Sequence, residues 1–172
     1  MQVLSFSSAK FTTKTVVSLG LFMALELVLS RFSISNSFLR IGPAFIATVM
    51  MAYYLGPWVA AIGAGLCDQL NVLVFMPGLD FPGFTVTAVV AAIIYGIFFY
   101  QQPVRFWRVL VATVLVVAIC DTFLNTMWLD MMGMPWQGII IPRILKNLVM
   151  LVIEVGVSYA VLKAVSKAKP QL

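Results

Sequence analysis

"GPWVAAIGAGLCDQLNVLVF", Gly56 to Phe75, is the stretch whose reading decides the fold. After the Gly56-Pro57 break, the run from Trp58 to Phe75 carries one formal charge, Asp68, and approaches the roughly 20 apolar residues that cross a bilayer as a helix. Gly56, Ala60, Ala64 and Asp68 recur every four residues, with Ala61 and Gly65 on the adjacent ridge. Small residues at that spacing let a second helix come close enough for van der Waals contact to hold the pair. The far half is polar, with Asp68, Gln69 and Asn71. The segment therefore reads as a membrane helix that packs tightly at one end and presents hydrogen-bonding groups at the other.

The rest of the chain has the same character. Of 172 residues, 62% are hydrophobic and 10% charged, with a mean hydropathy of +1.05; a soluble domain carries about 25% charge. Further apolar runs, punctuated by Gly, Pro and basic residues, predict six helices at about 15–30, 43–55, 58–75, 84–100, 107–129 and 138–163. The expectation is an all-α membrane protein, a single six-helix bundle with no room for a nucleotide-binding or other soluble module. The first apolar run lacks a small-residue cleavage site and reads as a retained helix. Net charge is +5, but the basic residues punctuate apolar runs and form no continuous patch, which argues against nucleic-acid binding. With no histidine, and with Cys67 and Cys120 isolated, metal and disulfide chemistry are not expected, nor is a cofactor.

Lys and Arg counts by side orient the bundle. Placing the N-terminus in the cytoplasm puts Lys10, Lys14, Arg105, Arg108, Lys163, Lys167 and Lys169 inside, and leaves Arg31, Arg40, Arg143 and Lys146 outside. Both termini are then cytoplasmic, and the 80–88 stretch "DFPGFTVTA" faces outward. Arg143 and Lys146 stand three apart on one helix face. Two readings stand for the outer four: snorkelling to lipid headgroups, or convergence on an anionic ligand held by charge-assisted bonds.

Four acids, Glu26, Asp68, Asp121 and Glu154, sit inside apolar helices. Each costs roughly 2.5–3.5 kcal/mol at the bilayer centre unless it faces a cavity or a partner. Asp68 with Gln69 and Asn71 suits either a helix-packing network or a planar heterocycle with adjacent N–H donors. Asn125 and Thr126 need partners across helices or on a ligand. Trp128 fits an interfacial aromatic belt or a stacking platform. Gly20 and Ala24 on the first helix, and Thr48 and Ala52 on the second, repeat the small-residue spacing. Such stripes serve internal packing or docking onto another membrane subunit. In the loop, Pro82-Gly83 turns the chain and Thr85 is placed to cap the next helix. Phe81 and Phe84 remain, and can close on an aromatic ligand.

The ordered segments "LSRFSI", "LRIGPAFIA", "LGPWVAAIGAGLCDQL", "FPGFTVTA", "LNTMWL" and "PRILKN" resemble the substrate-binding (S) components of energy-coupling factor (ECF) transporters, specifically the folate branch, from about Lys14 to Glu154. The resemblance implies a six-helix S-component fold that captures a vitamin outside the plasma membrane. It also implies docking on a transmembrane coupling subunit with two cytoplasmic ATPases, and toppling to release cargo inside. Folate suits the residues: carboxylates for Arg and Lys, a pterin for an acid or amide, an aminobenzoate for stacking. The resemblance carries Arg31, Arg40, Asp68, Asn125, Trp128, Arg143 and Lys146 as pocket candidates, and Gly20, Ala24, Ala60 and Ala64 as docking candidates. Other readings are an S component for another vitamin and a stand-alone proton-coupled carrier.

Overall fold

The computed structural model describes residues 5–35, 40–75, 81–133 and 136–168. It is a bundle of six helices: α1 (Thr13–Arg31), α2 (Phe45–Leu55), α3 (Pro57–Phe75), α4 (Pro82–Phe99), α5 (Phe106–Met131) and α6 (Trp136–Ala168). All but α2 are long and apolar enough to cross a membrane. The six-helix membrane bundle read from the sequence is the architecture observed, with one small addition. Ile34–Ser35 and Arg40–Ile41 pair as a two-residue antiparallel ribbon between α1 and α2.

Large apolar side chains are on the outside. Leu21, Leu73 and Val152 are about 70% exposed, whereas the interior holds Ala47, Ala52, Ala60, Ala64, Ala92 and Ala112 with a few large residues such as Met51, Leu55 and Tyr95. Lipid solvates the former, so small residues inside let the backbones approach. The α3–α4 pair has the most extensive contact. A methyl group on Gly65 would stand 3.1 Å from Val89, and one on Gly96 would collide with the backbone of Pro57.

Helix bounds fall within a few residues of expectation, and three helices differ in ways that matter. Helix α4 starts at Pro82, not 84, because proline's fixed φ suits the first helical position. Thr85 is therefore inside the helix and does not cap it; the N-cap position is Phe81, with no side-chain cap bond. Helix α6 extends over 33 residues, past Lys163, with Pro142 in its first turns. Helix α5 is not uniform: Val116–Leu124 is π-helical, between α-helical Phe106–Leu115 and Asn125–Met131.

The segment before α1 straps three helix ends together. Ser5 N–H donates to Ile97 O and Ala9 N–H to Leu55 O, both at 3.0 Å. Ser8 Oγ accepts from Trp58 N–H at 2.9 Å, supplying α3 with an N-terminal hydrogen-bond partner from fifty residues away. Trp58 Nε1–H donates to Phe6 O at 3.0 Å. Gly56 has φ +82°, and a Cβ there would lie 2.8 Å from Ser8 Cα, so glycine is needed for both backbone and space.

Candidate functional site

All six helices contribute to one partly open cavity of about 170 Å³. Glu26 comes from α1, Phe45 and Thr48 from α2, Ala64 from α3, Ala88, Ala91 and Tyr95 from α4, Val116 and Asp121 from α5, and Glu154 from α6. Each helix brings its lining residues by its own periodicity. On α4, Phe84, Ala88, Ala91 and Tyr95 are four, three and four apart, one continuous face. On α6 the buried stripe is Arg143, Asn147, Met150, Glu154, Ser158 and Leu162, again at spacings of three and four.

Helix α5 does this differently. Val116 and Asp121 both line the cavity although five residues separate them. On an α-helix of 3.6 residues per turn they would point about 140° apart; the i→i+5 winding of Val116–Leu124 brings them to one side. The wider winding runs on to Leu124, four residues make nearly one full turn of it, and α spacing resumes at Asn125, so Asn125 and Trp128 continue the face of Asp121 toward the end of the bundle. Asn125 Nδ2 lies 3.4 Å from Asp121 Oδ1. Its buried Oδ1 and the buried hydroxyl of Thr126 have no hydrogen-bond partner among the described residues.

At that end the aromatic side chains meet. The Phe81 ring is 5.7 Å from the Trp128 ring and 6.1 Å, edge-on, from Phe84. Trp128 Nε1–H donates to Thr87 Oγ1 at 3.0 Å, and Thr87 donates to Gly83 O at 3.1 Å. Gly83 is pressed against the indole: a methyl group there would collide with Trp128 Cδ2 and lie 2.6 Å from Phe81 Cε1. The turn residues thus form a small aromatic assembly across the ends of α4 and α5, on the faces that lead down to the cavity.

The basic candidates separate. Arg143 is buried, 7% exposed, and its Nη2 donates to the main-chain oxygen of Asp121 at 3.0 Å. Lys146 is half-buried on α6, three residues beyond Arg143. Arg31 is exposed in the last turn of α1, and Arg40 sits in the ribbon, its side chain outside the described residues. Asp68 is not among the residues lining this cavity. Its Oδ2 accepts from Thr85 Oγ1 at 2.8 Å, and Thr85 accepts from Gln69 Nε2 at 2.6 Å, so the polar half of α3 ties down the first turns of α4. Of the small-residue candidates, Ala60 and Ala64 are 0% and 1% exposed and belong to the core, while Gly20 and Ala24 are exposed on α1. Sequence reasoning had marked Glu26, Asp121 and Glu154 only as costly acids, and had missed Tyr95, whose stripe with Phe84, Ala88 and Ala91 was available as the signal.

Residues 14–162 match the family described as ECF transporter, substrate-specific component. The chain is 37% identical over 160 residues to the folate transporter FolT of Leuconostoc mesenteroides, covering 89% of this chain and 86% of that protein. It is 34% identical over 154 residues to FolT of Clostridium novyi, covering 88% and 90%. The crystal structure of a FolT bound with folic acid matches with a TM-score of 0.85 at 32% identity, over 89% of this chain and 95% of that one. Family, relatives and fold agree: the chain belongs to the substrate-specific components of ECF transporters, on their folate branch, and is a multi-pass transporter subunit and not an enzyme.

Proposed function

We propose that this chain binds folate in the six-helix cavity, beneath the aromatic assembly, and delivers it inward after docking on an energising module. The observation that carries the reading is the chemistry of the lining: Glu26, Asp121 and Glu154 meet at one apolar-walled space with Tyr95. Carboxyl groups in such a setting accept hydrogen bonds from a heterocycle with adjacent N–H groups. Phe81, Phe84 and Trp128 supply aromatic faces for the aminobenzoyl group. Lys146, with Arg31 and Arg40 toward the mouth, provides cations for the glutamate carboxylates.

A volume of about 170 Å³ is below the roughly 300–1,000 Å³ of pockets that enclose drug-sized ligands. Ligand entry therefore requires the aromatic assembly to lift and the cavity to widen. Asp68 serves here indirectly, by anchoring Thr85 and with it the start of α4.

Docking is assigned to α1, where Gly20 and Ala24 form an exposed small-residue notch facing lipid. The partner is a transmembrane coupling subunit with two cytoplasmic ATPases, and the site of action is the plasma membrane with both termini cytoplasmic. The Lys and Arg distribution supports that orientation. Purified protein should bind folate below micromolar concentration; failure to do so, with another vitamin binding instead in a ligand panel, overturns the ligand. Uptake into liposomes by this chain alone, without ATPases, would overturn the dependence on a module and favour an acid-lined proton-coupled carrier.

A further inference from the structure

The π-helical segment of α5 needs something to hold it. Asn125 N–H bonds to Cys120 O, which is the last i→i+5 step, and α-helix begins again at Asn125. Where a ladder returns from five-residue to four-residue spacing, one carbonyl is passed over, and after an Asn125–Cys120 bond the carbonyl in that position is that of Asp121. A buried carbonyl without a donor is costly, and such interruptions persist only where other groups satisfy them. Arg143 Nη2 meets this carbonyl, at 3.0 Å. One turn further along α6, Asn147 Nδ2 donates to Thr122 Oγ1 at 2.8 Å, and Thr122 donates to Val117 O, five residues back, at 2.9 Å. Arg143 and Asn147 are both nearly fully buried, at 7% and 4% exposure, and neither is among the residues lining the cavity.

We propose that Arg143 and Asn147 are positioning residues: together they hold α5 in the winding that turns Asp121 toward the cavity, and so set ligand affinity from outside the cavity. This rests on the cavity being the ligand site. It also gives Arg143 a different task from gripping a ligand carboxylate. If the clamp were lost, α5 would relax toward regular α-helix, and Val116 and Asp121 would no longer share a face.

The test uses the full-length protein in nanodiscs with Arg143→Met, Asn147→Leu and Thr122→Val. Without ligand, amide hydrogen exchange over residues 116–131 should quicken in each variant. The Asn147→Leu/Thr122→Val double variant should be no faster than Thr122→Val alone, because that change already removes the Asn147 bond along with the one to Val117 O. Each variant should weaken binding of folate, and of a pterin lacking the glutamate, by the same factor, about tenfold for Arg143→Met. Unchanged exchange overturns the clamp, and so does an Arg143→Met loss confined to the glutamate-bearing ligand. Should Arg143→Met fail to fold, the two near-isosteric neutral variants decide the question by the same readouts. If the wild type binds neither ligand, the folate reading fails, while the exchange measurement still tests the clamp.

Discussion

Trp128→Phe probes the aromatic assembly by removing one hydrogen bond together with part of the indole packed against Gly83 and Phe81. The bond lost is Trp128 Nε1–H to Thr87 Oγ1 at 3.0 Å. Thr87 keeps its own donor role to Gly83 O, so no buried donor is stranded; the lost bond contributes ~1 kcal/mol, the ordinary net value, and the lost ring packing adds to it. If the assembly must lift before folate leaves, that energy lowers the opening barrier, and the dissociation rate rises at least about fivefold. Gly83→Ala approaches the same contact from the other side: its methyl group collides with the indole and crowds Phe81. Overpacking of this kind costs about 1–3 kcal/mol, so the rate should rise by about fivefold or more. The assay is dissociation of radiolabelled folate from nanodisc-embedded protein after dilution into excess unlabelled ligand. Rates for both variants within twofold of wild type would refute the reasoning and leave the start of α4 with no gating role.

Other outcomes follow from separate contacts. Asp121→Asn or Glu154→Gln should weaken folate binding more than tenfold, the usual scale of a lost charged hydrogen bond, measured by titration calorimetry on the purified protein. Thr85→Val removes the bonds to Asp68 and Gln69 and should destabilise the bundle by about 1–3 kcal/mol, read as a lower midpoint of thermal unfolding in detergent. Gly56→Ala should lower the same midpoint through its clash with Ser8 while leaving folate affinity unchanged, since the strap lies at the opposite end from Phe81 and Trp128. Ala24→Trp should leave folate binding intact and abolish uptake in proteoliposomes that contain the complete transporter; loss of binding would mean the notch serves internal packing.

Much of the fold was legible because membrane helices declare themselves by length and apolarity, and Gly56-Pro57, Pro82 and Pro103 mark helix boundaries. The cavity was legible only as its parts. Asp121, Glu154 and Glu26 stood out as acids that lipid would not tolerate, but which of the four acids face the same space depends on helix rotation. Asp68 illustrates this: its neighbours made it the favoured ligand contact, yet the register of α3 against α4 gives it to Thr85. The π-helical winding of α5 was not legible. Its residues, "VVAICDTFL", are ordinary for an apolar helix, and the donor that completes it, Arg143, is 22 positions downstream of Asp121. The N-terminal strap escaped for the same reason, as its serines find their partners only after the bundle is assembled.

That strap also sets an order of events during synthesis. Its bonds join Phe6 and Ser8 to Trp58, and Ser5 to Ile97 at the far end of α4. Contacts of such sequence separation are slow to form, since each must close a long stretch of chain. Ser5, made well before α4, is thus among the last residues to find its place, because its acceptor, Ile97 O, is not there until α4 has been made and packed. Ser8, by contrast, has its partner in the first amide of α3 as soon as that helix is made. A nascent bundle halted after three helices would thus carry the strap fastened at Trp58 and open at Ser5, and completion of the fourth helix supplies the last tie.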